Sequence, residues 1–182
     1  VGGLAVVLVI FLFLGNVRST LVAAVTIPVA VVTSFVFLKL WGVTLNIMSL
    51  GGLAVGLGIM VDAAIVDTEN IFRHLKERPD EPMLATLRGA SEVRRPAAYS
   101  TAIIIAVFLP LLFLSGLEGK ILSPFAITVV VLMAVGLALS LTLTPALCYT
   151  LLRKVAPRLK EESWLARQCE RGYEPVLRAS LR

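Results

Sequence analysis

The sequence predicts an all-α fold: a polytopic membrane helix bundle of one truncated and four complete transmembrane helices, plus an amphipathic helix on the cytoplasmic surface. Three observations carry that prediction. Hydrophobic residues make up 58% of the chain and the mean hydropathy is +0.91, against roughly 45–50% apolar usage in soluble domains. Charge is absent from residues 19–38, 40–61, 96–117 and 121–152. Each run reaches the roughly 20 residues that a helix rising about 1.5 Å per residue needs to cross about 30 Å of hydrocarbon. The basic residues fall in alternate gaps between those runs, the pattern the positive-inside rule gives a multi-pass protein.

Taken in order, the first span covers residues 1–14 and would reach only about 21 Å before Gly15-Asn16-Val17-Arg18. With no basic n-region or cleavage site it is not a signal peptide, so the chain is expected to begin inside a helix, as a fragment of a longer protein. The second span covers 19–41 and the third 44–72. Gly52 and Gly56 of the third stand in GxxxG spacing, which lets another backbone approach closely, so the third span is expected at the centre of the bundle. A cytoplasmic loop, 73–96, follows, with a short helical pattern over 83–93 between Pro82 and Pro96. The fourth span covers 97–116. The fifth covers 123–152, opened by Ser123 as N-cap and Pro124 at the first helical position. Pro28, Pro110 and Pro145 fall inside spans and predict kinks, the freed carbonyls being satisfied by neighbouring helices. Residues 156–182 place Trp164, Leu165, Cys169, Tyr173 and Leu177 at three-to-four spacing against a charged face. That pattern predicts a surface-anchoring linker helix leading to a second half of the protein, interrupted near Gly172 and Pro175.

Orientation follows from the 17 Lys and Arg residues. Arg18, the basic residues of 73–95 and those from Arg153 onward share one side, while only Lys39 and Lys120 stand on the other. The rule therefore places Arg18, the 73–96 loop and the tail in the cytoplasm. The net charge of +5 is then a topology signal whose partner is anionic membrane lipid, with no case for nucleic acid. Cys148 and Cys169 lie near or beyond the cytoplasmic end of the last span, in a reducing compartment, which argues against a disulfide.

The chemistry is concentrated in "GLGIMVDAAIVDTENIF", residues 56–72, where Asp62, Asp67 and Glu69 interrupt an otherwise apolar span. Asp62 lies 11 residues before Arg73, about 16 Å of helix, and so near the bilayer midplane. An ionised carboxylate there costs about 2.5–3.5 kcal/mol on insertion scales, so it should be protonated or paired. Moving a cation, or opening a water path, would load or release its proton. Glu69 is two turns along the same face and could relay that proton inward, whereas Asp67 is rotated about 140° from Asp62 and need not share the path. The bland alternative is that these acids only hold helices together through hydrogen bonds or ion pairs. His74, the single histidine, is expected to be solvated among loop charges. Lys39 and Lys120 stand at the far membrane face, so a cation for Asp62 must come from outside this sequence. An enzyme is excluded: there is no nucleophile with a base, no phosphate-cradling loop, no His-rich metal triad and no cofactor motif.

The segments "LFLGNVRSTL", "LNIMSLGGLAVGLGIMVDAAIVDTENI", "LRGASEVRRP" and "LTLTPALC" together resemble the first half of a resistance-nodulation-division (RND) efflux permease, over nearly the whole chain. The resemblance implies helices two to six of twelve, in a homotrimeric proton antiporter of the bacterial inner membrane. It further implies a periplasmic adaptor and an outer-membrane channel as partners, and a lysine from the second half pairing with Asp62, the proton carrier. Drug exporters of the family typically have two adjacent aspartates where this chain has Asp62-Ala63, and a single aspartate followed by a small residue is more similar to the heavy-metal efflux branch. In that branch silver and copper(I) exporters are held to pass the ion between paired methionines. Met48, Met60 and Met133 match three such positions, while Asp67 and Cys148 stand where another pair would be Met. Soft sulfur suits copper(I), yet methionine also fills gaps in any helix bundle. The sequence reading is therefore proton-driven efflux, with heavy-metal ions as substrate. Multidrug or amphiphile export is the alternative, favoured by "TPALC", and a non-transporting membrane scaffold or protein-secretion accessory is the reading from another class.

Overall fold

The computed structural model describes residues 8–12 and 15–153, which form helices and no strand. Of the predicted 1–14 span, residues 8–12 are described and are helical; the predicted linker helix 156–182 lies outside the described residues.

α1, Val17–Leu40, begins at Asn16, whose side chain accepts a hydrogen bond from the Arg18 amide at 3.1 Å. Its inward face is small and hydroxylated, with Ser19, Ala23, Thr26, Ala30 and Ser34 buried. Thr26 donates to the Val22 carbonyl at 2.8 Å, the local bond that hydroxyls make when no water is at hand. The chain turns at Trp41 and Gly42, with Gly42 at φ +71°, a conformation that favours glycine.

α2, Ile47–Glu77, opens with a reciprocal capping box. The Ser49 amide donates to Asn46 Oδ1 and the Asn46 amide to Ser49 Oγ, each at 2.8 Å. α2 packs against α1 and every later helix, so it occupies the centre of the described bundle. The GxxxG pair explains how. A Cβ at Gly52 would lie 2.5 Å from the Phe125 carbonyl oxygen, a backbone atom, so only glycine there admits α4 this closely, and one at Gly56 would press on Leu132 Cδ2 at 2.6 Å.

α3, Pro82–Phe108, starts with Pro82 in its first turn and continues through Pro96. The 73–96 segment, expected as a loop, is thus helical except at residues 78–81. Two contacts hold it: Ala85 and Ala90 are buried with Ile71, Phe72 and Leu75, and a Cβ at Gly89 would lie 2.8 Å from the Ile71 Cα. That close packing offsets the backbone bond lost at Pro96. A 3₁₀ turn, Leu109–Phe113, carries Pro110.

α4, Gly116–Leu141, begins seven residues before the predicted Ser123-Pro124 start, which corrects that cap assignment. Pro124 is interior, and the N–H it lacks would have served the Lys120 carbonyl, only one turn into the helix. The predicted fifth span is also divided: Thr142, at φ −121° and ψ −66°, separates α4 from α5, Leu143–Leu152. Arg18 Nη1 donates to the Leu151 carbonyl at 3.2 Å, placing a cation at the negative end of α5. Four of the helical stretches, Val17–Leu40, Ile47–Glu77, Pro82–Phe113 and Gly116–Leu152, are long and apolar enough to cross a membrane.

Candidate functional site

α2 carries all three acidic candidates, and its pitch sends them to different surroundings. Asp62 and Glu69 are exposed on the described bundle, whereas Asp67 is 3% exposed and turned into it. Asp67 accepts a hydrogen bond from Ser140 Oγ of α4. Beside it, the Cys148 side chain of α5 is fully buried with Ile71, Phe72 and Leu75. Among the described residues, no Lys, Arg or His lies within 4.0 Å of Asp62, Asp67 or Glu69; the ion pairs are those of Arg73 and His74 with Glu77 and Glu92. The sequence therefore places three carboxylates on the central helix, and the described fold brings no cation into ion-pair distance of any of them, although Lys76 and Arg73 act on Glu69 from farther away.

Met60 and Met133 come together. Both are buried and line a cavity of about 70 Å³ with Ser100, Thr101, Ser140 and Thr144. Met48 is not part of it: it lies 39% exposed in the first turn of α2, about 18 Å of helix from Met60. Cys148 belongs to the separate cluster just described. The four sulfur candidates thus occupy three places, of which only the Met60–Met133 pair shares a cavity. Among the described residues, no group of three or more His, Cys, Asp or Glu side chains is placed to hold a metal ion.

A polar clasp between α2 and α3 is the feature that sequence reasoning missed. Asn70 Nδ2 donates to the Gly89 carbonyl at 2.8 Å and to Glu92 Oε2 at 3.1 Å. Arg73 Nη2 donates to Asn70 Oδ1 at 3.0 Å and lies 3.5 Å from Glu92. His74, expected to be solvated, is instead 8% exposed. Its Nδ1 lies 3.0 Å from the Asn70 carbonyl and its Nε2 lies 3.2 Å from Glu92 Oε1. The carbonyl can only accept, so Nδ1 carries a hydrogen, and Nε2 donates to an ionised Glu92 when the ring is imidazolium. Asn70's hydrogen bond, helped by the charges of His74 and Arg73, holds the Glu92 carboxyl below its usual range. The signal available in sequence was weak: Asn70, Arg73 and His74 share a helix face at spacings of three and four, opposite an acid 18–22 residues on.

Comparison with known proteins follows the same lines. The multidrug resistance protein MdtC of Salmonella arizonae is 44% identical over 153 residues, 84% of this chain and 15% of that protein. The MdtC protein of Yersinia enterocolitica is 45% identical over 148 residues, covering 81% of this chain and 14% of its own length. The chain thus spans about one seventh of the curated relatives it matches. Residues 1–182 match the AcrB/AcrD/AcrF family throughout. With four apolar helices long enough to span a membrane, the chain belongs to that family, the RND efflux permeases.

Proposed function

We propose that this chain forms part of the first membrane half of a proton-driven exporter of drugs or other amphiphiles, with Asp62 as its proton carrier. One observation carries the reading: Asp62 stands on the central helix, at membrane depth, on a face the described bundle leaves exposed, with no described cation within 4.0 Å. A bare carboxylate facing lipid is costly, by about 2.5–3.5 kcal/mol or more. The face is therefore covered by protein that brings a cation, and a lysine on the second half of the permease meets that need. When the lysine is close, Asp62 is ionised; when it withdraws, desolvation favours the protonated acid. Alternation between the two moves one proton per cycle. Glu69, on the same exposed face two turns on, hands that proton toward the side bearing Arg73 and the α2–α3 clasp, which is the cytoplasm under the positive-inside rule. Homotrimeric assembly in the inner membrane, with a periplasmic adaptor and an outer-membrane channel, completes the reading.

The substrate class is drawn from the relatives, which are named as multidrug resistance proteins. Heavy-metal export is the second reading, supported by Asp62-Ala63 and by the shared Met60–Met133 cavity. Met48 and Cys148 lie away from that cavity, so a continuous sulfur path is unsupported and the amphiphile reading is preferred.

The test compares wild type with Asp62→Asn in the full-length permease, expressed in an efflux-deficient bacterium and grown across dyes, silver, copper and zinc. Dye tolerance that disappears in Asp62→Asn at equal protein level is the expected result. Tolerance confined to metals would move the substrate to the second reading. Full tolerance in the variant would end the carrier role and make Asp62 a structural group.

A further inference from the structure

Ser140 and Thr144 flank the break between α4 and α5 and carry hydroxyls that the Asp62 pathway does not use. At Thr142 the ladder loosens: the Thr142 amide reaches the Leu139 carbonyl at 3.3 Å, and the Ala146 amide reaches the Thr142 carbonyl at 3.4 Å. Pro145 has no N–H to give the Leu141 carbonyl. Irregular backbone at membrane depth is tolerated where it is buried in protein or lines a cavity. Broken helices supply backbone carbonyls and a negative helix end to cations in transporters.

Two side chains point to the same place. Ser140 both donates to the buried Asp67 and lines the cavity. Thr144, 1% exposed, lines that cavity as well, and its Oγ1 has no hydrogen-bond partner among the described residues. Ser100 and Thr101 of α3 also line the cavity. A buried hydroxyl without a partner costs free energy, and a buried carboxylate with neither proton nor cation costs far more. Both costs are met by one positively charged ligand that takes oxygen donors.

We propose that Asp67, Ser140 and Thr144 form a binding site for a monovalent cation, Na⁺, reached from the hydroxyl-lined cavity. One carboxylate balances one charge. The donors are hard oxygens, which suit alkali and alkaline-earth ions over soft metals, and the Met60 and Met133 side chains serve as apolar wall. The site lies on a different face of α2 from Asp62, so it depends on the membrane reading of the chain and not on Asp62 as proton carrier.

The test uses the full-length permease, purified in detergent and melted across a NaCl titration with choline chloride holding ionic strength constant. A ligand that binds only the folded state raises Tm in proportion to its occupancy. The expected result is a saturable rise in Tm with NaCl that Asp67→Asn abolishes, that Ser140→Ala and Thr144→Val weaken, and that Asp62→Asn leaves intact. Melting in choline alone reports whether each variant is folded; if Asp67→Asn is not, the Ser140 and Thr144 variants carry the test. A wild-type Tm identical in NaCl and choline overturns the site, as does an undiminished Na⁺ response in the folded Asp67 or Ser140 and Thr144 variants. Loss of export in Asp62→Asn with the Na⁺ shift preserved would separate the two sites.

Discussion

Glu92 shows how one exposed acid can tie two helices. Asn70, Arg73 and His74 all approach it from α2, and the Asn70 hydrogen bond, aided by the two charges, depresses its titration below the ordinary 4.5. Because the folded value is the lower one, the clasp contributes fully above pH 4.5 and loses its contribution as the pH falls through the depressed value. The carboxylate is exposed, so water and salt keep that contribution small. Melting wild type and Glu92→Gln side by side should therefore give a modest gap that persists down to about pH 5 and closes at more acid pH. A gap that fails to close in strong acid would mean that Glu92 is not the ionised partner drawn here. Asp67 follows a different logic: its hydroxyl partner comes from another helix, and its role is settled by the ion titration, not by pH.

Glycines decide how the elements meet, and adjacent positions on α2 make opposite predictions. Gly52→Ala would drive a methyl to 2.5 Å from the Phe125 carbonyl, a backbone atom that cannot rotate away. Overpacking of that kind costs about 1–3 kcal/mol. Gly51→Ala places its methyl 3.8 Å from the Phe125 ring, an ordinary contact, while helix propensity gains up to about 1 kcal/mol. Thermal melts in detergent should thus show Gly52→Ala destabilised and Gly51→Ala unchanged or raised; equal responses would mean that α2 and α4 do not approach as described. Gly89→Ala tests the α2–α3 contact in the same way, since its methyl would meet Ile71 Cα at 2.8 Å. It should destabilise by a similar amount and weaken the Asn70 bond to the Gly89 carbonyl.

At the scale of the whole molecule, the four long helices are legible in sequence because lipid demands some twenty apolar residues per crossing, a composition signal that needs no knowledge of contacts. The centrality of α2 is legible through Gly52 and Gly56 for a related reason: small residues are the only way to bring backbones close. What spacing does not encode is partnership across the chain. Ser140 lies 73 residues from Asp67, and the helix through 73–96 depends on Gly89, Ala85 and Ala90 meeting α2, so its charges and Pro96 read as a loop. Orientation is argued from charge asymmetry alone, and it sets the direction in which Asp62 and Glu69 would pass a proton. A cysteine-scanning experiment decides it. Thr44 lies in the exposed α1–α2 turn and Asp80 in the exposed α2–α3 turn, at opposite ends of a helix about 46 Å long. In a cysteine-free full-length protein, Thr44→Cys should react with a membrane-impermeant maleimide in cells whose outer membrane has been opened. Asp80→Cys should react only after the inner membrane is disrupted. The reverse pattern would place the α2–α3 clasp outside, turn the acids of α2 the other way up, and make outward proton movement the consequence of the same geometry.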